Sequence, residues 1–316
     1  MTDEITVSAV IPLLNEEESL RELYELLAEN LTQYDSWEII FVDDGSTDSS
    51  LIILEELRSR DARIKIISFQ MNYGKSAALD AGFNAALGKY IITLDADLQD
   101  DPGEIPNLIA ELEKGNDLVS GWKKKRRDPI SKTVPSKIWN LLTSILTGLR
   151  IHDFNCGLKA YRREVTRRLP VYGEMHRFLP AIVHWEGFRV TEIPVQHHPR
   201  KYGKTKYGAR RFLNGLLDLL TIQFLVRYKK KPMHLFGLAG LIFTFAGFLI
   251  LVYLTWGWLN GIWIGDRPLF LLGILLVVFG AQSFSLGLIG EMLTRSSSDQ
   301  HEYLIRLKEG FDQERR

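Results

Sequence analysis

The sequence predicts an α/β protein: a Rossmann-like mixed, mostly parallel sheet with helices on both faces, continued by two C-terminal transmembrane helices. Three observations predict it. Short apolar runs of strand length alternate with segments of helical periodicity between Thr6 and Ser120. Turn-forming and acidic clusters fall where several runs end, at Pro12, Asp43-Asp44 and Asp95-Ala96-Asp97. Two stretches without a charged residue, Leu235–Ile264 and Pro268–Gly290, lie near the C-terminus. Each can supply the roughly 20 apolar residues that a spanning helix needs.

Taken in order, Thr6–Ile11 reads as a buried strand and Ser19–Leu31 as a helix with apolar residues at helical spacing. Glu38–Val42 is a second strand, and Asp48 or Ser49 can cap a helix reaching about Arg60. Ile64–Phe69 is a strand, Ser76–Ala86 a helix, Tyr90–Leu94 a strand, Ile105–Lys114 a helix and Leu118–Ser120 a strand. Such alternation implies parallel pairing with helices over both faces. Ligands of these sheets bind beyond the carboxyl ends of the strands, so the three clusters converge on one edge. Trp122–Pro135 reads as a loop carrying the basic run Lys123–Arg127, and Lys137–Leu149 and Arg210–Val226 as amphipathic helices suited to a membrane surface or to packing on the domain.

Among 316 residues, Lys plus Arg and Asp plus Glu each number 39, and hydrophobic residues make up 46%. Zero net charge gives no support to nucleic-acid binding. Cys156 is the only cysteine, so no intramolecular disulfide can form, and its expected role is packing. The acidic start Met1–Glu4 lacks the features of a signal peptide. The spans are read as Leu235–Trp256 and Leu269–Ile289. Arg227 and Lys229–Lys231 precede the first, whereas the connecting loop carries only Asp266 and Arg267. Positive charge marks the cytoplasmic side. The region before the spans and both termini are therefore expected in the cytoplasm, with Trp256, Trp258 and Trp263 at the outer interface. The expected division is a catalytic domain over 1–208, an amphipathic juxtamembrane segment over 209–232, two spans over 233–290 and a tail over 291–316.

Asp95 and Asp97 place two carboxylates at a strand end, and Gln99 can add a neutral oxygen. Hard oxygen donors suit Mg²⁺ or Mn²⁺, which commonly take one or two carboxylates plus substrate phosphates. A bare D-x-D is ordinarily a solvated turn; its place after Tyr90–Leu94, beside Asp43-Asp44, is what gives it meaning. Other signals are decoys. Gly74-Lys75-Ser76 and Gly203-Lys204-Thr205 end like a phosphate-binding loop, but Phe69 and His198 stand where its first glycine belongs. His197 and His198 are adjacent in an expected strand and point to opposite faces.

The segments Pro12–Glu17, Val42–Asp48, Asn72–Lys75 and Asp95–Asp100 occur in series. Together they resemble family 2 glycosyltransferases of the GT-A fold, most of all the polyprenyl-phosphate glycosyltransferases, which include dolichol-phosphate mannose synthases. The resemblance runs from about residue 5 to 210, and the paired spans match the anchored members. It implies that Pro12, Leu14, Glu16, Val42 and Asp44 bind the nucleoside, that Lys75, Ala96 and Asp97 contact the donor, and that Asp95, Asp97 and Gln99 surround the metal. The family often has Tyr where this chain has Leu14, so base stacking there is not implied. Arg200–Tyr207 resembles the family's basic-Gly-Ser/Thr-Lys segment, which implies phosphate contacts by Arg200, Thr205 and Lys206, with Asp97, Arg200 and Lys206 serving catalysis. Fixed cations would offset repulsion between two anionic substrates. Lys123 and Arg127 of the basic run, and Lys159 of Asp153–Lys159, are further substrate-binding candidates.

The reaction so implied moves a sugar, with inversion, from a UDP- or GDP-linked donor to a polyprenyl phosphate such as undecaprenyl or dolichyl phosphate. Homo-oligomerisation is left open. One rival is a processive or other membrane glycosyltransferase acting on a sugar hydroxyl, although the Gln-x-x-Arg-Trp segment of processive synthases is absent. Another is a catalytically silent partner that recruits a flippase or polymerase.

Overall fold

The computed structural model describes residues 5–124, 140–141, 143–169, 171, 173, 175–199, 201–202, 231–264 and 267–296. Two compact units divide the chain, Met1–Leu219 and Leu220–Arg316. In the first unit the strands are β1 (Val7–Leu13), β2 (Trp37–Asp43), β3 (Ile64–Ser68), β4 (Tyr90–Thr93), β5 (Leu118–Trp122), β6 (Lys159–Arg162) and β7 (Val190–Pro194). They form one sheet in the order β3-β2-β1-β4-β6-β5-β7. Pairing is parallel across β3-β2-β1-β4 and between β5 and β7, while β6 runs antiparallel to both its neighbours.

β1 and β2 are buried along their whole length. That is the mark of parallel strands covered on both faces. Helix α1 (Leu20–Leu31) buries Leu20, Leu23, Leu27 and Leu31, a stripe at helical spacing. With α2 (Ser50–Arg60) and α4 (Ile105–Glu113) it closes one core against Val7, Ala9, Ile11, Ile39 and Phe41. Helix α3 (Lys75–Ala85) covers the other face, where Val10 and Val42 point. Its Gly82 makes this close approach, since a Cβ there would collide with the Val10 side chain and lie 3.3 Å from Val42. Burial of Glu38 is compensated by polar partners. Its carboxylate accepts the Ser8 hydroxyl at 2.5 Å and the Leu87 N–H at 2.8 Å, and it pairs with Lys65.

The second unit is a helical pair, Pro232–Leu259 and Pro268–Ser296. The expected spans lie inside these longer helices. At 1.5 Å per residue each is about 42 Å long, more than a hydrocarbon core of about 30 Å. The backbones meet at glycine: a Cβ on Gly240 would lie 2.7 Å from the Gly280 carbonyl, and one on Gly247 2.7 Å from that of Gly273. Leu241, Phe245, Phe248 and Leu249 face outward. Such an apolar outer surface fits a membrane and not water. Of the two expected amphipathic helices, Asn140, Leu141 and residues 143–147 are helical, whereas Arg210–Val226 lies outside the described residues.

Candidate active site

The ends of β1, β2 and β4 meet at one edge of the sheet, and side-chain hydrogen bonds lock their loops together. Asn15 stands at φ 53°. Its N–H donates to the Ser46 hydroxyl, and its side-chain oxygen accepts the Thr47 N–H, both at 2.8 Å. The Glu16 N–H donates to Ser50 Oγ at 2.9 Å, and Glu17 accepts the Ser49 N–H at 2.9 Å. The first two family-like motifs therefore form one interlaced turn. Asp43 caps it from below, accepting the Ser46 N–H at 3.0 Å and the Ser68 hydroxyl at 2.9 Å.

Asp44 reaches sideways to the start of α3, accepting the Tyr73 N–H at 2.7 Å and the Gly74 N–H at 2.9 Å. Burial raises its carboxyl above the ordinary range, against the pull of these two donors. Gly45 (φ 75°) permits the crossing, because a Cβ there would sit 2.6 Å from the Met71 carbonyl carbon.

Lys75, the first residue of α3, pairs with Asp95. Burial works to raise the Asp95 carboxyl, but the Lys75 charge and hydrogen bond, with Lys123 and Lys159 beyond, hold it down at about 2. Asp97 is 9% exposed and accepts the Gln99 N–H at 3.2 Å. Between them in the turn, Leu98 stands at φ 59°. A buried leucine in the left-handed region is strained, and such strain concentrates at functional loops.

The loop after Asp97 is held from behind. Asp100, 1% exposed, pairs with Lys123 at 2.8 Å, and His197 Nδ1 lies 3.9 Å from the same oxygen. His198 donates its N–H to the Gln99 carbonyl at 2.9 Å and meets Asp101 at 3.0 Å. The two histidines do face opposite ways, His197 inward and His198 outward, and together they clamp this loop. Gly157 lies against both carboxylates: a Cβ there would come within 2.7 Å of Asp100 Oδ2 and 2.8 Å of Asp95 Oδ2.

A cavity of about 330 Å³ opens over this edge. That is within the range of small-molecule sites. Of the expected site residues, Pro12, Leu14, Glu16 and Asp44 line one part, and Lys75, Asp95, Ala96 and Asp97 another. Val42 is a correction. It is fully buried beside Gly82, and its side chain faces α3 instead of the cavity. Gln99 is half-buried beside Asp97. Lys159 is buried and Lys123 half-buried behind Asp95, and neither lines the main cavity. Asp100 outweighs the burial of Lys123 and raises its pKa, whereas burial lowers that of Lys159, which donates to the Cys156 carbonyl. Burial also pushes the Cys156 thiol up to about 12, in keeping with a packing role. Arg127, Arg200, Thr205 and Lys206 lie outside the described residues; neighbouring Lys201 pairs with Glu22 of α1 at 2.7 Å.

Sequence reasoning missed Asn72, Gly74, Ala78, His176 and Arg177, which also line the cavity. Asn72 and Gly74 belong to a recognised motif, but His176 and Arg177 carry no local signal. They sit on a 3₁₀ turn, Met175–Arg177. Ser76 Oγ accepts the His176 N–H at 3.1 Å and lies 3.0 Å from its Nδ1. Burial, and then the neighbouring Lys75 and Arg177 charges, push the His176 pKa well below its usual value.

The glycosyl transferase family 2 model matches residues 8–169, just over half of the chain. The chain is 39% identical over 299 residues to the dodecaprenyl-phosphate galacturonate synthase of Rhizobium johnstonii, covering 92% of this chain and 88% of that one. It is 39% identical over 295 residues to the undecaprenyl-phosphate 4-deoxy-4-formamido-L-arabinose transferase of Pseudomonas fluorescens, covering 93% and 86%. Glucosyl-3-phosphoglycerate synthase from Mycobacterium tuberculosis, solved with Mn²⁺, UDP and phosphoglyceric acid, superposes with a TM-score of 0.53. At 22% identity over 68% of this chain and 78% of that one, this likeness bears on the fold alone. The GT-A-like sheet, the interlaced motifs at its edge and this kinship over nearly the whole chain lead to one conclusion: the chain belongs to glycosyl transferase family 2.

Proposed function

We propose that this membrane-associated enzyme transfers one sugar from a nucleoside-diphosphate donor to a polyprenyl phosphate. The carrying observation is the cavity that joins Asp95 and Asp97 to Glu16 and Asp44 on one sheet edge. Two relatives named as polyprenyl-phosphate sugar enzymes and two membrane-length helices support the acceptor class.

Among the described residues no three His, Cys, Asp or Glu side chains gather as a metal site. The Asp95–Asp97 pair fits Mg²⁺ or Mn²⁺, which complete their shells with water and phosphate oxygens, better than an ion needing an all-protein cage. In this reading Asp95 and Asp97 hold the cation, with Gln99 beside them. When bound, it offsets charge developing on the departing diphosphate. Lys75, held at the start of α3, adds a fixed positive charge on the same side. Pro12, Leu14, Glu16 and Asp44 take the nucleoside. Arg200, Thr205 and Lys206 serve the phosphates, with Lys123, Arg127 and Lys159 as further candidates. A lipid phosphate oxygen attacks the anomeric carbon as the bond to the diphosphate breaks, with inversion. The acceptor is already largely ionised near pH 7, since its second pKa is about 6, so no strong general base is needed.

The catalytic domain (1–208) and both termini face the cytoplasm, the juxtamembrane segment (209–232) follows, and the spans (233–290) keep the active site near lipid headgroups. Binding at the membrane then supplies proximity, worth several kcal/mol of barrier in favourable cases. Purified protein is to be incubated with UDP- and GDP-sugars and undecaprenyl or dolichyl phosphate, with Mn²⁺ or EDTA. The expected product is a lipid phosphate heavier by one sugar, lost with EDTA. A polymer, or no lipid product from any pair, would overturn the reading.

A further inference from the structure

The second long helix, Pro268–Ser296, has two unlike faces. Its inner face carries Gly273, Gly280 and Gly287, each seated against the first long helix. A helix turns about 100° per residue. Val278, Gln282 and Ile289 therefore lie on the far side, with Ser285 beside them and Ala281 on the flank. All five are exposed, and Ala281, Gln282, Ser285 and Ile289 line one shallow outer groove.

Gln282 is out of place there. At 1.5 Å per residue it stands about 21 Å from Pro268 and about 14 Å from Glu291, the first charged residue after it. A hydrocarbon core is about 30 Å thick, so the amide lies well inside it. An amide brings two donor hydrogens and an acceptor oxygen, and lipid tails answer neither. Its own helix does not answer them either. Thr255, on the first long helix, donates its hydroxyl to the Leu251 carbonyl at 2.8 Å. The Gln282 and Ser285 side chains make no such bond among the described residues.

We propose that this face docks on the same face of a second copy of the chain. Copies inserted in the same sense bring parallel helices together about an axis normal to the membrane. A residue beside that axis meets its own counterpart at the same depth. An amide is its own complement, so each Gln282 donates an N–H to the other's oxygen. Ala281 and Ser285, four residues apart, have the small-residue spacing that lets two backbones approach in lipid. Water is absent at this depth and an acyl or isoprenoid tail offers no polar atom. An equal amide at an equal depth satisfies both ends of the side chain. The proposal needs the two helices to span a bilayer, and does not depend on the sugar or the acceptor.

The test uses the full-length chain in phosphatidylcholine vesicles, over a series of protein-to-lipid ratios. Association is read by energy transfer between labelled copies. The native chain should associate. Gln282→Leu removes the amide and stays apolar, and should weaken association about tenfold. Gln282→Asn keeps an amide and should lose less. Ser285→Phe fills the groove and should abolish association. Cross-linking then reads the face. Ile289→Cys, two turns along from Gln282, should form a disulfide between copies when treated with copper phenanthroline. Leu288→Cys, about 100° further round the helix, should not. Native Cys156 is buried and gives little background. The cross-link decides the matter if Gln282→Leu fails to insert. A chain that stays single at every ratio overturns the proposal. So does association untouched by Gln282→Leu, or a disulfide formed equally at 288 and 289. Release of the native chain by alkaline carbonate would overturn the spans, and the proposal with them.

Discussion

At the scale of single residues, the site is defined by how its carboxylates are constrained. Asp95 is held by Lys75, Asp97 by the Gln99 N–H, and Asp100 by Lys123. Asp97→Ala should abolish transfer while membrane insertion persists; near-normal turnover would remove Asp97 from the chemistry. Gly157 tests positioning without touching charge. Its added methyl would push against both Asp95 and Asp100. Displacement on the order of 1 Å at a reacting centre can cost about 100-fold. Gly157→Ala is therefore expected to lower kcat by about that factor with the fold intact by circular dichroism, and unchanged kcat would show that the carboxylates can yield. D-A-D was legible because both its residue types and its strand-end position are local properties. The lysines behind it were legible only as basic residues, since nothing local reports that Lys159 is buried or that Lys123 pairs with a buried Asp100.

At the scale of elements, α1, α2 and the strands beside them are tied by a polar node outside the site. Asp61 accepts Arg63 Nε and Nη2, each at 2.9 Å, and the Tyr24 hydroxyl at 3.0 Å. The Arg63 hydrogen bonds, against burial, hold the Asp61 carboxyl below its ordinary value. A depressed carboxyl stabilises the fold fully above its unfolded value, near 4, and that contribution is lost as pH falls toward the folded value. Asp61→Asn should cost about 1 kcal/mol at pH 7, because Arg63 is half exposed and water screens the pair. The difference should shrink below pH of about 4 in urea titrations; a gap that is constant with pH would refute the linkage. The elements themselves were mostly readable, β1 to β5 and α1 to α4 especially. β6, with the sequence Lys-Ala-Tyr-Arg, was not. It is four residues long and its strand character comes from slotting between β4 and β5.

At the scale of the whole molecule, the two units are a sheet-based domain and an apolar helical pair. The proposed orientation places the segment joining the helices outside. Native Cys156 is buried, so it gives little background to a thiol probe. Asn260→Cys, at the exposed end of the first long helix, should react with a membrane-impermeant maleimide from the outer side of sealed vesicles. Labelling only after the inner side is opened would reverse the topology. Protein that leaves the membrane in alkaline carbonate would contradict spanning altogether.

The sequence by itself determined the α/β class, the carboxylates at the sheet edge and the two apolar helices. Each depends on patterns within a few dozen residues: strand-length apolar runs, strand-end acids and charge-free spans. Only the tertiary structure decided which side chains share the cavity. It turned Val42 toward α3, buried Lys159 and half-buried Lys123 behind Asp95, and joined Ser76 to His176 across 100 positions. Those outcomes follow from close packing of α3 and the 3₁₀ turn over the sheet, where a contact is set by shape and by the need to satisfy buried polar atoms. The residues involved carry no record of their partners in the local sequence.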